Sequence, residues 1–110
     1  MCCEIGEGVE IGPGLYIPHA LGIVIHSRAR VGANLYLSQN VTIGKKHTGS
    51  KAGCPIIKDN VFIGPGAVVI GAIEVGAGSI IGPNSVVVKD IPAGVTVTSG
   101  AAYPLRRTVD

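Results

Sequence analysis

The sequence predicts an all-β protein in which short parallel strands wind into a solenoid of triangular coils. An aliphatic residue recurs every six positions from Ile5 onward, and glycine or asparagine recurs at one fixed place in most repeats. Large aromatic residues are almost missing, with one Phe and no Trp among 110 residues. Stacked Ile, Val and Leu can fill such a core because each repeat packs only on its neighbours. An amphipathic helix would show spacings of three and four, which are absent.

The aliphatic repeat defines the positions expected to face inward. They are Ile5, Ile11, Ile17, Ile25, Val31, Leu37, Ile43, Ile57, Ile63, Val69, Val75, Ile81 and Val87. The spacing of six is broken in only two places. The gap is eight residues between Ile17 and Ile25, and fourteen between Ile43 and Ile57. Departures from a strict repeat usually mark inserted function.

The glycine and asparagine repeat predicts the corners of the coils, because these residues best tolerate a positive φ. The corner positions are Gly8, Gly14, Asn34, Asn40, Asn60, Gly66, Gly78 and Asn84. Three strands and three corners close one triangular coil, and coils stack at about 4.8 Å. We expect about four to five coils over residues 1–98, one projecting loop at about 44–56, and a closing segment over 99–110, since the repeat fades after Ala93.

Composition and charge exclude several classes of function. The net charge is +2 and the cations are scattered, so no nucleic-acid-binding stripe is predicted. An odd count of three cysteines favours reduced thiols, and no secretory pattern is present, which predicts a cytoplasmic protein. No stretch approaches the roughly 20 apolar residues of a membrane helix.

The dozen hexads resemble the hexapeptide-repeat acyltransferases. That resemblance implies a left-handed parallel β-helix, acetyl-CoA as co-substrate without a metal, and a homotrimer with active sites between subunits. The first interruption reads Ile-Pro-His-Ala-Leu-Gly-Ile-Val-Ile over residues 17–25. It is similar to the catalytic-histidine segment of serine acetyltransferases, where Asp-His-Ala-Thr-Gly-Val-Val-Ile is typical.

The resemblance implies that His19 is the general base of a direct acetyl transfer. A neutral alcohol is a poor nucleophile, and a neutral imidazole can take its proton as it attacks the thioester. Counting back one coil from the corner of His19 reaches Glu4, just before Ile5. A carboxylate there is expected to orient the imidazole, as the acidic member of a triad does. The alternative is a terminal Glu in solvent.

The second interruption has the length of the serine acetyltransferase loop, which usually ends Gly-Gly-Asp-Arg-His-Pro-Lys-Ile. Aligning on Pro55 puts Cys54 where that family has its second active-site histidine, and Ala52 and Gly53 replace the Asp-Arg pair. Pro18 replaces the Asp before the catalytic histidine. These positions recognise the charges of the amino acid, so the expected acceptor is a saccharide hydroxyl, as in exopolysaccharide and capsule O-acetyltransferases.

Three further groups of residues are assigned from the same resemblance. Pro18, Cys54 and His47 are expected around the acceptor, with Cys54 more a small pocket residue than a nucleophile. His47 is a substitute for the missing histidine, a partner of Lys45 and Lys46 for the CoA phosphates, or part of a solvated loop tip. His26 is expected on an outer face, with a substrate contact as the alternative. The pantetheine arm and phosphates of acetyl-CoA are expected near Gly44, Gly64, Pro65, Gly82, Pro83 and Lys89.

Three alternatives remain open at this point. The first is a serine O-acetyltransferase of cysteine biosynthesis. The second is a zinc enzyme like the γ-class carbonic anhydrases, although the histidine spacing matches no known ligand set. The third is a non-catalytic trimeric scaffold, against which the intact His19 segment argues.

Overall fold

The computed structural model describes residues 2–105 and forms a left-handed parallel β-helix without helical segments in that range. Its strands are β1 (Cys3–Ile5), β2 (Glu10–Ile11), β3 (Ile23–Ile25), β4 (Arg30–Val31), β5 (Tyr36–Leu37), β6 (Thr42–Gly44), β7 (Ile56–Ile57), β8 (Phe62–Ile63), β9 (Val68–Ile70), β10 (Glu74–Val75), β11 (Ile80–Ile81), β12 (Val86–Val87) and β13 (Thr96–Val97). They form three parallel sheets, which are the faces of a triangular prism. The first sheet runs β1-β3-β6-β9-β12, the second β2-β4-β7-β10, and the third β5-β8-β11-β13.

The strand register shows one coil to be 18 residues, as three hexads require. Val24 pairs with Thr42, 18 positions further along the chain. The first interruption lengthens its coil by two residues, so that Glu4 pairs with Val24. The second lengthens its coil by eight, so that Thr42 pairs with Val68. Both insertions lie where the sequence predicts them.

A third break, after Val87, was not predicted. Ile80 pairs with Thr96, and Val75 forms a bridge with Ile91, so this coil is two residues shorter than the others. The expectation of only two breaks is therefore wrong. The repeat also continues past Ala93, because β13 adds a further layer to the third sheet. No strand follows Val97 in the part of the chain that the structure describes; residues 106–110 of the expected closing segment lie outside it.

The core is a column of aliphatic side chains along the axis of the prism. From Ile25 onward, every predicted inward residue is buried, from Ile25 at 1% exposure to Val87 at 2%. Ile5 in the first coil is 43% exposed, and Ile11 and Ile17 are only half-buried. Among the described residues no coil lies beneath the first one, which accounts for the difference.

Every predicted corner residue adopts a positive φ. The values run from 57° at Asn40 and Asn84 to 83° at Gly14. The predicted corners at glycine and asparagine are therefore confirmed, because these residues adopt the positive φ that a tight corner requires.

The three outer faces differ in chemistry. On the second sheet, Glu10 faces Arg30 at 3.6 Å and Glu74 faces Lys58 at 3.8 Å, so charged pairs dominate this face, with Ile56 exposed between them. On the third sheet, Tyr16, Tyr36 and Phe62 form an aromatic ladder with centroid separations of 5.2 and 4.5 Å. The first sheet exposes Val24 and Val86. Two adjacent faces thus carry apolar side chains that soluble monomers rarely leave uncovered over a large area.

Within residues 2–105, no helix is long and apolar enough to cross a membrane.

Candidate active site

The predicted site residues lie along two different edges of the prism. His19 lies in the corner that leads from the third sheet to the first; we call this line of corners the His19 edge. The projecting loop lies in the corner that leads from the first sheet to the second; we call this line the loop edge. The outer face of the first sheet therefore separates His19 from Cys54 and His47 within one chain.

His19 stands exposed in a widened corner that the backbone holds at several points. The backbone N–H of Leu21 donates to the carbonyl of His19 at 2.9 Å. The N–H of Gly22 donates to the carbonyl of Cys2 at 2.5 Å, and Asn40 donates to the carbonyl of Leu21 at 2.8 Å. The segment is thus tied to the coils on both sides. Its exposed imidazole can meet a substrate without a rearrangement of the core.

Glu4 does not lie in the corner that repeat counting predicts. It lies inside β1 and pairs with Val24, five positions beyond His19. The expectation was wrong because the residue just before an inward position belongs to the strand, as Val24 does before Ile25, and the corner lies further back in the chain. No hydrogen bond joins Glu4 to His19 among the described residues. The exposed Glu4 side chain lies on the outer face of the first sheet, between the two edges.

The projecting loop builds a small structure of its own. Lys46 and Gly53 form an antiparallel bridge with two backbone hydrogen bonds of 2.9 Å. The Lys46 ammonium donates to the carbonyl of Ser50 at 2.6 Å, which closes the loop tip. The N–H of Ala72 donates to the carbonyl of Lys51 at 2.8 Å and fixes the loop to the next coil.

Cys54, at the base of the loop, contacts His26. Its Sγ lies 3.4 Å from Nδ1 of His26, and the pair is partly buried. The expectation of His26 on an outer face is therefore incomplete, because the ring turns toward the loop. The sequence contains only one sign of this pair. Several inward residues are followed by Gly, whereas Ile25 is followed by His, and this difference does not identify Cys54 as the partner.

A cleft of about 440 Å³ opens at the loop edge beside this pair. Its polar side chains are those of Glu4, His26, Ser27, Thr42, Lys45 and His47. His47 is thus placed in the cleft, and Glu4 reaches it from the first sheet. Pro18 and His19 do not line this cleft, because they belong to the His19 edge.

The residues expected to bind acetyl-CoA divide between the two edges. Pro65 and Pro83 share the His19 edge with Gly64 and Gly82, whereas Gly44 lines the cleft at the loop edge. Lys89 is exposed in a corner of the loop edge.

The three glycines expected to bind acetyl-CoA differ in whether coil packing requires a glycine at their position. A Cβ on Gly64 would come within 2.9 Å of the Pro83 nitrogen, and one on Gly82 within 2.8 Å of the Val97 oxygen. Both are needed for the close stacking of coils. A Cβ on Gly44 would meet nothing nearer than 3.4 Å, so coil packing does not explain that glycine.

The described range 2–105 contains no group of three or more His, Cys, Asp or Glu side chains that could hold a metal ion.

Comparison with known proteins identifies the repeat. Residues 54–89 match the family model described as bacterial transferase hexapeptide (six repeats). The serine acetyltransferase of Bacillus subtilis is 44% identical over 96 residues, which are 86% of this chain and 43% of that protein. The Helicobacter pylori serine acetyltransferase is 37% identical over 104 residues, which are 94% of this chain and 61% of that protein.

Solved structures give the same result. Serine acetyltransferase isoform 3 of Entamoeba histolytica, in complex with cysteine, has a TM-score of 0.85 and 31% identity over 94% of this chain and 38% of its own. The Neisseria gonorrhoeae serine acetyltransferase in complex with serine has a TM-score of 0.79 and 37% identity over 91% of this chain and 41% of its own. The chain thus spans less than two thirds of the length of these relatives.

Proposed function

Because this chain belongs to the hexapeptide-repeat transferases and is homologous to serine acetyltransferases, we propose that it transfers the acetyl group of acetyl-CoA to the hydroxyl of serine or a closely similar acceptor. The observation that carries the proposal is His19, exposed in a corner widened by two residues in an otherwise strict repeat. The saccharide acceptor expected from the sequence has no support in the comparisons, because the relatives found are named serine acetyltransferases. The cytoplasmic location stays a prediction.

In the proposed reaction, His19 acts as general base and then as general acid. Its neutral imidazole accepts the proton of the acceptor hydroxyl while the hydroxyl oxygen attacks the thioester carbonyl carbon. The carbon–sulfur bond breaks, and the imidazolium returns the proton to the departing thiolate. The products are the acetyl ester and CoA, and the histidine ends neutral.

Glu4 remains our proposed orienting partner for His19. It borders the cleft at the loop edge and also a smaller one, formed with Gly22 and Val24, on the side of the His19 edge. We propose that this carboxylate accepts a hydrogen bond from the imidazole of His19 when the acceptor is bound. It would then stabilise the imidazolium that forms during transfer.

We further propose that three chains assemble with each active site between two of them. Within one chain, His19 and the loop stand on different edges, and the His19 edge lies between the two apolar faces. Packing these faces against neighbouring chains buries Tyr16, Phe62 and Val86. A threefold arrangement brings the His19 edge of one chain to the loop edge of the next.

The chain has features that suit acetyl-CoA as the donor substrate. Gly44 leaves open space in the cleft at the loop edge, which admits a narrow arm. Lys89 offers an ammonium on the same edge, and a lysine is a good point-charge partner for a phosphate. Pro65 and Pro83, one coil apart on the His19 edge, are proposed to line the path of the donor in the assembled site.

Thiol release from acetyl-CoA tests this function. We would measure it colorimetrically with serine, neutral mono- and oligosaccharides, and no acceptor. We expect release that requires serine and yields O-acetylserine by mass spectrometry. Release that requires a saccharide instead would overturn the acceptor assignment and leave the reaction class intact. No release with any acceptor, together with no acetyl-CoA binding, would support a scaffold.

A further inference from the structure

The contact between Cys54 and His26 joins two segments that are 28 residues apart in sequence. His26 is fixed by its backbone N–H, which donates to the carbonyl of Ile43 at 2.9 Å. Its neighbours in the column of corners are Gly6 one coil below and Gly44 one coil above. A Cβ on Gly44 would meet nothing nearer than 3.4 Å, so the imidazole has open space on that side, whereas Gly6 packs closely against the backbone of Ser27. The ring is thus a half-buried group that reaches a cleft.

The hydrogen bonds of His26 define its tautomer. The backbone N–H of Arg28 donates to Nδ1 at 3.0 Å. A ring nitrogen that accepts an N–H must present its lone pair, so the proton of the neutral imidazole is on Nε2. The Cys54 thiol, 3.4 Å from the same nitrogen, is then a second and weaker donor. A thiolate–imidazolium pair would need a proton on Nδ1, which the Arg28 N–H opposes.

This assignment gives the two side chains different roles. Cys54 holds the ring from the loop side through its thiol. His26 keeps Nε2–H available for a group in the cleft. The nearby Lys45 and His47 line the same cleft, and Glu4 is its one carboxylate among the described residues.

We propose that His26 is a specificity-determining residue that binds a carboxylate of the acceptor through Nε2–H, with the Lys45 ammonium beside it. Charge-assisted hydrogen bonds of this kind are the stronger ones in proteins. Cys54 is a positioning residue that keeps the imidazole turned toward the cleft. The acceptor class is therefore a small alcohol that carries a carboxylate, such as a hydroxy amino acid.

The proposal rests on the proposed acetyl transfer and deepens it. Pro18, Ala52 and Gly53 stand where charged acceptor-binding residues are typical, and their loss argued against serine. His26 and Lys45 offer a second source of carboxylate recognition, reached from a different corner. They do so without using any of the three altered positions.

The test compares L-serine with L-serinamide, in which a neutral amide replaces the carboxylate. Dissociation constants are measured by calorimetry in the presence of CoA, for the wild-type protein, His26→Leu and His26→Gln. We expect the wild-type protein to prefer serine by about tenfold or more. His26→Leu should lose most of that preference, and His26→Gln, which keeps an N–H donor near the position of Nε2–H, should keep part of it.

Steady-state kinetics add a readout that a purely structural role would not move. For His26→Leu we expect KM for serine to rise by about tenfold while kcat stays near the wild-type value, since the carboxylate is remote from the reacting hydroxyl. Cys54→Ala should show a smaller change in the same direction, and Cys54→Ser, which keeps a donor, a still smaller one. Circular dichroism and the oligomeric state check that each variant folds.

Two results would overturn the proposal. One is a wild-type protein that binds serine no better than serinamide. The other is a folded His26→Leu variant with the wild-type preference. The binding measurement needs no turnover, so an inactive protein that still prefers serine would contradict the proposed function and leave the carboxylate site supported.

Discussion

The two interruptions of the repeat differ in how they use their extra residues. The two-residue insertion around His19 widens a corner and adds no structure of its own, so the imidazole stays exposed on a rigid frame. The eight-residue insertion builds a closed loop with its own bridge and places Cys54 against His26. The comparison suggests that the short insertion presents the reactive group and the long one shapes the acceptor pocket. Four experiments test this division.

Replacing His19 with Ala should have the largest effect. Loss of a general base lowers the rate of transfer by about 10² to 10⁴-fold. The exposed side chain contributes little to the core, so folding and acetyl-CoA binding should be unchanged. Thiol release measures the rate, and His47→Ala in the loop is the matched control with a smaller expected loss. Retained turnover in His19→Ala would show that another residue is the base.

Mixed assemblies test whether the two interruptions meet across subunits. One variant is His19→Ala, and the other replaces residues 46–53 with two glycines, since Lys46 and Gly53 already lie side by side. Each variant alone should be inactive. After a one-to-one mixture is unfolded and refolded together, about a quarter of the sites should combine an intact His19 with an intact loop in a threefold assembly. Measured activity near zero in the mixture would indicate a site within one chain.

Two glycine substitutions compare the rigidity of the insertions. Gly22 has a φ of 63°, and a Cβ there would collide with the side-chain oxygen of Asn40. Gly22→Ala should lower the free energy of unfolding by about 1 to 3 kcal/mol. Gly49, with a φ of 82°, meets only the flexible Lys46 side chain at 3.8 Å. Gly49→Ala should cost about 1 kcal/mol, from backbone conformation alone. Denaturant unfolding measures both, and equal losses would contradict the stated difference.

Removing the ion pair between the loop and the segment that follows Val87 should have the smallest effect on stability. Lys51 Nζ lies 3.8 Å from Asp90 Oδ2, and both side chains are about half exposed. Lys51→Ala should change the free energy of unfolding by less than about 0.5 kcal/mol, and added salt should remove even that. Lys58→Ala, at the Lys58–Glu74 pair on the second sheet, is a control of similar geometry. A loss above 1 kcal/mol would mean that this pair anchors the loop.

The repeat predicted the fold well because a residue's position within its hexad determines its backbone conformation and its burial. The positive φ at Asn60 and the burial of Ile63 follow from position within the repeat, and both were predicted. The position of Glu4 was not, because the residue just before an inward position lies in the strand, as Val24 does before Ile25, and not in the corner that precedes the strand.

The site was only partly predictable for a related reason. His19 was identified because its segment is continuous in sequence. The contact of Cys54 with His26 joins residues from two coils, and its geometry depends on the path of the loop. The separation of His19 from the loop by a whole face is a property of the three-sheet prism. This separation becomes visible only when each corner is assigned to one of the three edges of the prism.

The coil lengths also bear on the entropy of the chain. A regular coil brings together residues 18 apart, as for Val24 and Thr42, and the coil that carries the loop brings together residues 26 apart, as for Thr42 and Val68. Because closure entropy grows with the logarithm of length, the longer closure costs only about 0.3 kcal/mol more. A β-helix therefore accepts an eight-residue insertion at a corner with almost no added cost of loop closure. The cleft at the loop edge can change by insertion while every other coil keeps its register.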